Sequence, residues 1–257
     1  MTQDFTGRVA IVTGGSEGIG LATSKLLARR GALVVICGRT QSKLDAAKAE
    51  IAAEGGKVEV HSLDVGDADA FAAFIEDVAA RHGRLDMMVN NAMSVHYAPI
   101  SHLTLEHWRK DFLVNADAIF VGTKAALKVM MAQGKGSIVN ISSTTAIRAA
   151  ANMASYSASK AALIQFTTCA AIEAARSGVR LNTVVPGQVQ TPATEFFATK
   201  APETAARTAD AIPMGRGGKP EELAEAIVFM LSDAASYITG VALPVDGGKS
   251  AQLFLPS

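Results

Sequence analysis

The sequence predicts a doubly wound α/β fold, a seven-stranded parallel sheet with helices on both faces. Three observations predict it. Short apolar runs rich in Val and Ile recur from end to end, each followed by a longer stretch with helical spacing, the pattern of repeated βαβ units. Hydrophobic residues make up 49% of the chain and aromatics only 5%, so the core must be built largely from Ala, Val, Ile and Leu, as in sheets covered by helices. The first apolar run, "VAIVT", passes directly into a glycine-rich turn, "GGSEGIG", and then into an apolar helix.

In chain order the strands fall at residues 9–13, 33–37, 58–62, 87–90, 137–142, 181–185 and 242–245, each a short run carrying Val, Ile, Leu or Met. Helices fill the gaps at about 18–30, 42–54, 68–82, 105–131, 156–176 and 221–231. Gly31, Gly55, Gly83 and Gly178 lie just past four of them, where a left-handed C-terminal cap favours glycine. Residues 188–219 break the rhythm with Pro192, Pro202, Pro213 and three glycines near the end of the segment. A connection this long is read as a lid over a substrate. No repeat, low-complexity tract or flexible linker divides the chain, so residues 1–257 are read as a single domain carrying that lid.

Charge and composition narrow the function. Lys plus Arg and Asp plus Glu both number 24, so no global field recruits nucleic acid or an anionic membrane, and local sites must do that work. No apolar run is long enough to span a bilayer, and the amino terminus enters "RVAIVTGG" without the basic and apolar regions of a signal peptide. Cys37 and Cys169 have no metal or redox spacing and are expected as buried thiols in a reducing, cytoplasmic compartment. His61, His82, His96, His102 and His107 form no ligand spacing, so no metal site is expected. His96 and Tyr97 either line a substrate pocket or lie on a loop surface, the second being preferred. Met130 and Met131 read as core or interface filler, and Phe196 and Phe197 stand evenly between substrate contact and ordinary packing.

The turn after the first strand is suited to phosphate. Gly14, Gly18 and Gly20 let the backbone approach an anion closely, and the helix that follows offers free N–H groups and a positive dipole end. In a dinucleotide fold this is the pyrophosphate site. The second strand ends in "CGRT", with Arg39 and Thr40 and no acid, which favours the 2'-phosphate of NADP(H) and leaves NAD(H) possible. Glu17 in the glycine turn opposes that preference. Asp64, after the third strand, suits an adenine amino group or, alternatively, a cap on the next segment.

The stretch "YSASK" sets Tyr156 four residues before Lys160, on one face of a helix. A free phenol titrates near pH ~10, and bringing it to about 7 takes roughly 4 kcal/mol, to which a neighbouring ammonium contributes. Such a tyrosine exchanges protons at neutral pH. Taken alone, the pair is more often an ordinary solvated helix face.

The ordered set "TGGSEGIG", "NNAM", "ISS", "YSASK" and "PGQVQT" resembles the short-chain dehydrogenase/reductase family over almost the whole chain. The resemblance implies a Rossmann fold in which Asn115, Ser143, Tyr156 and Lys160 are catalytic. Tyr156 is then the general acid/base for hydride transfer between nicotinamide and a carbonyl or secondary alcohol. Ser143 orients the reacting oxygen, and Lys160 lowers the phenol pKa and holds the nicotinamide ribose. Asn115 holds a water that links Lys160 to solvent. Cofactor contacts are implied for Gly14, Ser16, Glu17, Gly18, Ile19, Gly20, Arg39, Thr40, Asp64, Val65, Asn91 and Ala92, and for Tyr156, Lys160, Pro186, Gly187, Val189 and Thr191. The terminal segment "YITGVALPVDGG" implies a homotetramer. One departure stands out: Met93 occupies the place of a family glycine, next to the adenosine side of the cleft. An NAD-dependent alcohol or sugar dehydrogenase and a non-catalytic NADP-sensing regulator are the alternatives.

Overall fold

Alternate residues of the inner strands point to opposite faces of the sheet, and this chain buries both. The computed structural model describes residues 4–253 of the 257, so the ends of the expected single domain, 1–3 and 254–257, lie outside the described residues. The strands are β1 (Val9–Thr13), β2 (Leu33–Gly38), β3 (Lys57–Ser62), β4 (Met87–Asn90), β5 (Gly136–Ile141), β6 (Val179–Pro186) and β7 (Ala242–Val245). They form one parallel seven-stranded sheet in the order β3-β2-β1-β4-β5-β6-β7. Helices α1 (Gly18–Arg29), α2 (Gln41–Ala53) and α3 (Ala68–His82) lie in the first half of the chain. They are followed by α4 (Leu105–Phe112), α5 (Ala118–Gln133), α6 (Ala154–Ala174), α7 (Pro192–Lys200), α8 (Pro202–Asp210) and α9 (Pro220–Leu231).

Ala10, Val12, Val34 and Ile36 pack in one core with Leu27 of α1 and Ile227 and Val228 of α9. Their neighbours Val9, Ile11, Val35 and Cys37 pack in the other with Phe71 and Ile75 of α3 and Ala126 of α5. This is the period-two division expected of a sheet covered on both faces. The edge strands show it least: β3 alternates Lys57, Glu59 and His61 with Val58 and Val60, and β7 tolerates Pro244. All four expected cap glycines have positive φ, between 71° at Gly83 and 94° at Gly31.

Two expectations need correction, the single helix over 105–131 and the burial of Cys169. The helix expected over 105–131 is two helices separated by a π-helical turn, Leu113–Asp117, which carries Asn115. Residues 188–219 contain α7 and α8, each opened by a proline at its first turn, where the missing N–H costs no hydrogen bond. Cys37 is buried, but Cys169 is exposed on α6. Met130 is buried in the core and Met131 lies at the surface. Among the described residues no helix is long and apolar enough to cross a membrane.

Candidate active site

The sheet order reverses between β1 and β4, and the crevice at their carboxyl ends is where an open α/β sheet binds ligands. The glycine turn forms one side of it. Gly14 and Gly18 have φ of 62° and 52°, and a Cβ on Gly20 would lie 2.2 Å from the Gly14 carbonyl oxygen. Only glycines allow α1 to close on the turn this tightly, leaving its amino-terminal N–H groups facing the crevice. Asn91 holds the turn in place: its Nδ2 donates to the carbonyls of Thr13 and Gly14 at 3.0 and 3.2 Å. Thr13 Oγ1 accepts the N–H groups of Asn91 and Ala92 in return, at 2.9 and 3.0 Å. The Asn91 amide is thus committed to the protein, and Ile19, in the first turn of α1, packs against the core.

A cleft of about 490 Å³ runs from this turn past the ends of β2 and β3. Ser16, Glu17, Arg39, Thr40, Asp64 and Val65 line one side, and Ala92, Met93, Ser94 and His96 the other. This elongated, glycine-floored cleft fits a dinucleotide. The objection raised by Glu17 weakens here, because Lys43 Nζ lies 2.7 Å from its carboxylate and also lines the cleft. Lys43 was not singled out in the sequence; a second cation four residues after Arg39 was the available signal. Asp64 does not cap α3, a role taken by Asp67, but accepts the Gly66 N–H at 2.9 Å within its own turn. Cys37 also lines the cleft, and burial pushes its thiol up to about 12, which makes it a poor nucleophile.

Pro186 pairs with Val245 at the end of β6, and Gly187 donates its N–H to the Val245 carbonyl at 3.1 Å. Val189 is buried and bridges Gly218. Thr191 caps α7, and its methyl would lie 3.1 Å from a Cβ on Gly18, so the start of α7 sits over the start of α1. The far ends of the expected cofactor set therefore meet.

At the other side of the crevice stands Tyr156, on the first turn of α6 and only 8% exposed. The end of β5 meets α6 through two bonds: Ser142 Oγ donates to the Lys160 carbonyl at 2.9 Å, and Lys160 Nζ donates to the Ile141 carbonyl at 2.8 Å. Ser143 follows with an extended backbone and approaches the Tyr156 hydroxyl. Asn115 is fully buried in the π turn. Its Oδ1 accepts the Ser94 N–H at 2.9 Å, and its Nδ2 donates to the Ser94 carbonyl and to Ser159 Oγ at 2.7 and 3.1 Å. The small residues between Tyr156 and Lys160 serve this contact, since Ser159 Oγ in turn donates to the Tyr156 carbonyl.

The electrostatics differ from the sequence expectation. Burial pushes the Tyr156 phenol up to about 12, with Ser143 opposing the rise and Tyr97 and Asp111 adding to it. Lys160 is itself pushed down to about 7 by burial, and its Nζ lies 5.9 Å from the Tyr156 ring centroid. Desolvation thus outweighs the pairing that the i, i+4 spacing suggests. His96 is also corrected: it is part-buried, with Nδ1 2.7 Å from Asp111.

A deep phenol beside a hydroxyl and an amine, next to a cleft for a dinucleotide, defines an oxidoreductase that acts between CH–OH and C=O groups. Comparison with known proteins gives the particular family. A family model described as enoyl-(acyl carrier protein) reductase matches residues 14–250. Cis-4-hydroxycyclohexanecarboxylate dehydrogenase of Sinomonas cyclohexanicum is 41% identical over 98% of this chain and 100% of its own length. The 3-oxoacyl-[acyl-carrier-protein] reductase of Thermotoga maritima is 39% identical over 94% of this chain and 97% of its own. A crystal structure described as an NAD(P)-dependent gluconate 5-dehydrogenase from Beutenbergia cavernae, with bound NADP at low occupancy, superposes with a TM-score of 0.92 at 39% identity. It covers 97% of this chain and 99% of that one. The chain belongs to the short-chain dehydrogenase/reductase family.

Proposed function

We propose that this protein transfers hydride between NADP(H) and the carbonyl or secondary alcohol carbon of a small molecule, with Tyr156 as general acid/base. The observation that carries the reading is the seclusion of Tyr156 beside Ser143 and Lys160 at the carboxyl ends of the sheet. A bound nicotinamide supplies the hydride donor or acceptor. Tyr156 gives its proton to the carbonyl oxygen during reduction and takes one from the alcohol during oxidation. Ser143 donates to the same oxygen and fixes its direction. Lys160 would hold the nicotinamide ribose hydroxyls, and those acceptors would favour its ammonium form against the desolvation that depresses it. Asn115 fixes Ser94 and Ser159, so its amide keeps the floor of the site in shape; a water held at the π turn would link Lys160 to solvent.

NADP(H) is preferred over NAD(H) because Arg39 and Lys43 put two cations at the ribose end of the cleft, one of them neutralising Glu17. The NADP bound in the similar structure from Beutenbergia cavernae supports this choice. Residues 188–219 act as the lid, and Phe196 and Phe197, exposed on α7, meet apolar parts of the substrate. A homotetramer is supported by exposed apolar side chains: Phe120 and Ile172 on α5 and α6, Phe229 on α9, and Tyr237 and Val241 shortly before β7.

The test is an equilibrium titration with NADPH and with NADH followed by nicotinamide fluorescence, then a turnover screen of cyclic ketones, sugar acids and 3-oxoacyl thioesters. Tighter NADPH binding with turnover is the expected result. Tight NADPH binding with no turnover of any class would overturn the catalytic reading in favour of a redox-sensing regulator.

A further inference from the structure

Helix α4 buries one residue among those described, and that residue is a carboxylate: Asp111, 0% exposed. A carboxylate taken from water needs donors. Two separate segments supply them. Ser155 Oγ donates at 2.6 Å, Ser94 Oγ at 2.9 Å and the His96 N–H at 3.3 Å, and the His96 ring nitrogen Nδ1 lies 2.7 Å away. His107, one turn earlier on α4, stacks on the His96 ring with centroids 4.3 Å apart. Ser155 directly precedes Tyr156, and His96 directly precedes Tyr97. Just beyond, the Ala98 N–H donates to the Asn152 carbonyl at 3.0 Å, so the loop and the approach to α6 run side by side.

We infer that Asp111 is a positioning residue of the reaction: through Ser155 and His96 it holds the Tyr156 end of α6 and the loop 94–98 in one fixed relation. The inference rests on Tyr156 being the general acid/base. Asn115 separates this role from cofactor binding. It already holds the Ser94 main chain at both N–H and carbonyl, so the loop wall of the cofactor cleft stays in place when Asp111 is neutralised. The Ser155 hydroxyl makes no other hydrogen bond among the described residues. The charge of Asp111 has a second consequence, since a nearby carboxylate opposes formation of the phenolate. The titratable groups around the pair are His96 and Tyr97 on the loop, Lys160 on α6, and His107 stacked on His96.

The test compares Asp111→Asn and Ser155→Ala with the wild type, using NADP and cyclohexanol as the probe reaction. In D111N, kcat should fall by about 10- to 100-fold with NADPH affinity unchanged, the loss expected when a reacting group is misplaced by a fraction of an ångström. Its acidic limb for alcohol oxidation should move to lower pH, because the phenolate forms more readily without the carboxylate. S155A keeps that charge, so it should lower kcat less and leave the limb in place. A D111N enzyme with wild-type kcat and pH profile would overturn the inference, whereas a Y156F enzyme with wild-type turnover would instead overturn the reading it rests on. Protein labelled with [13Cζ]tyrosine gives a readout that needs no turnover. The Tyr156 resonance should shift in both variants, and an unmoved resonance would equally defeat the proposal.

Discussion

Two regions of the molecule, the α6 end of the site and the segment 188–219 proposed as a lid, are built in opposite ways. On the α6 side, Asp111, Asn115, Ser155, Ser159 and Lys160 are all buried, and each has a hydrogen-bond partner within the protein. On the lid side, α8 buries none of its residues, and Phe196 and Phe197 are 65% and 51% exposed. The difference matches what the proposed function asks of each region. A proton-transfer group loses its rate advantage when displaced by less than an ångström, so it is held by an over-determined network. A substrate cover has to open, and elements with few buried contacts open at low free energy.

The variant with the largest expected effect tests the fixed region directly. Tyr156→Phe removes only the hydroxyl, and turnover should fall by at least about a thousandfold, at the upper end of what general acid/base groups contribute. Fluorescence titration should find NADPH binding intact in the same protein; weakened binding would mean that the hydroxyl belongs to the cofactor site rather than to the chemistry.

Lys160 sharpens the comparison through pH. Its folded pKa, about 7, lies below its ordinary 10.5, so between these values the unfolded chain binds more protons than the folded one. Stability from this residue should therefore rise as pH increases from about 7 towards 10, by up to a few kcal/mol. Urea unfolding of Lys160→Met at pH 7 and pH 9.5 should lack that rise. Identical pH slopes for the two proteins would show that Lys160 keeps its proton when buried.

Arg39→Ala tests the cofactor end. Loss of a charge-assisted contact to a 2'-phosphate should weaken NADPH by about tenfold or more and leave NADH unchanged. Equal losses for both would place Arg39 elsewhere than at that phosphate.

The smallest effect is expected on the lid. Phe196→Ala and Phe197→Ala should raise KM for apolar substrates a few-fold, while unfolding midpoints stay close to wild type, since exposed substitutions usually shift stability by less than about 0.5 kcal/mol. A marked fall in midpoint would show that the lid is packed as firmly as the α6 end of the site.

How much of this was legible in the sequence depended on the range of the interaction. The strands and cap glycines were legible because they follow from local period and positive φ. Tyr156 with Lys160, and the glycine turn, stand out because their partners lie within one helical turn or one loop. The π turn at Asn115 was hidden inside a continuous helical pattern, since one extra residue in a turn leaves no compositional mark. Helices α7 and α8 were masked by prolines that read as breakers yet stand at first helical positions. Asp111 lay four residues before Asn115, the spacing of a shared helical face, but its partners come from residues 94–96 and 155.

The sequence by itself determined the βαβ rhythm, the phosphate turn and the family to which the chain belongs, because each is a matter of residues close together in the chain. Tertiary structure alone decided the ionisation of the site. It buries Tyr156 and Lys160 deeply enough that desolvation moves them apart, to about 12 and about 7, against the trend their spacing suggests. It also turns a lone aspartate of α4 into the junction between a loop and α6. Burial and long-range hydrogen bonding set both, and neither has a period that can be read along a chain.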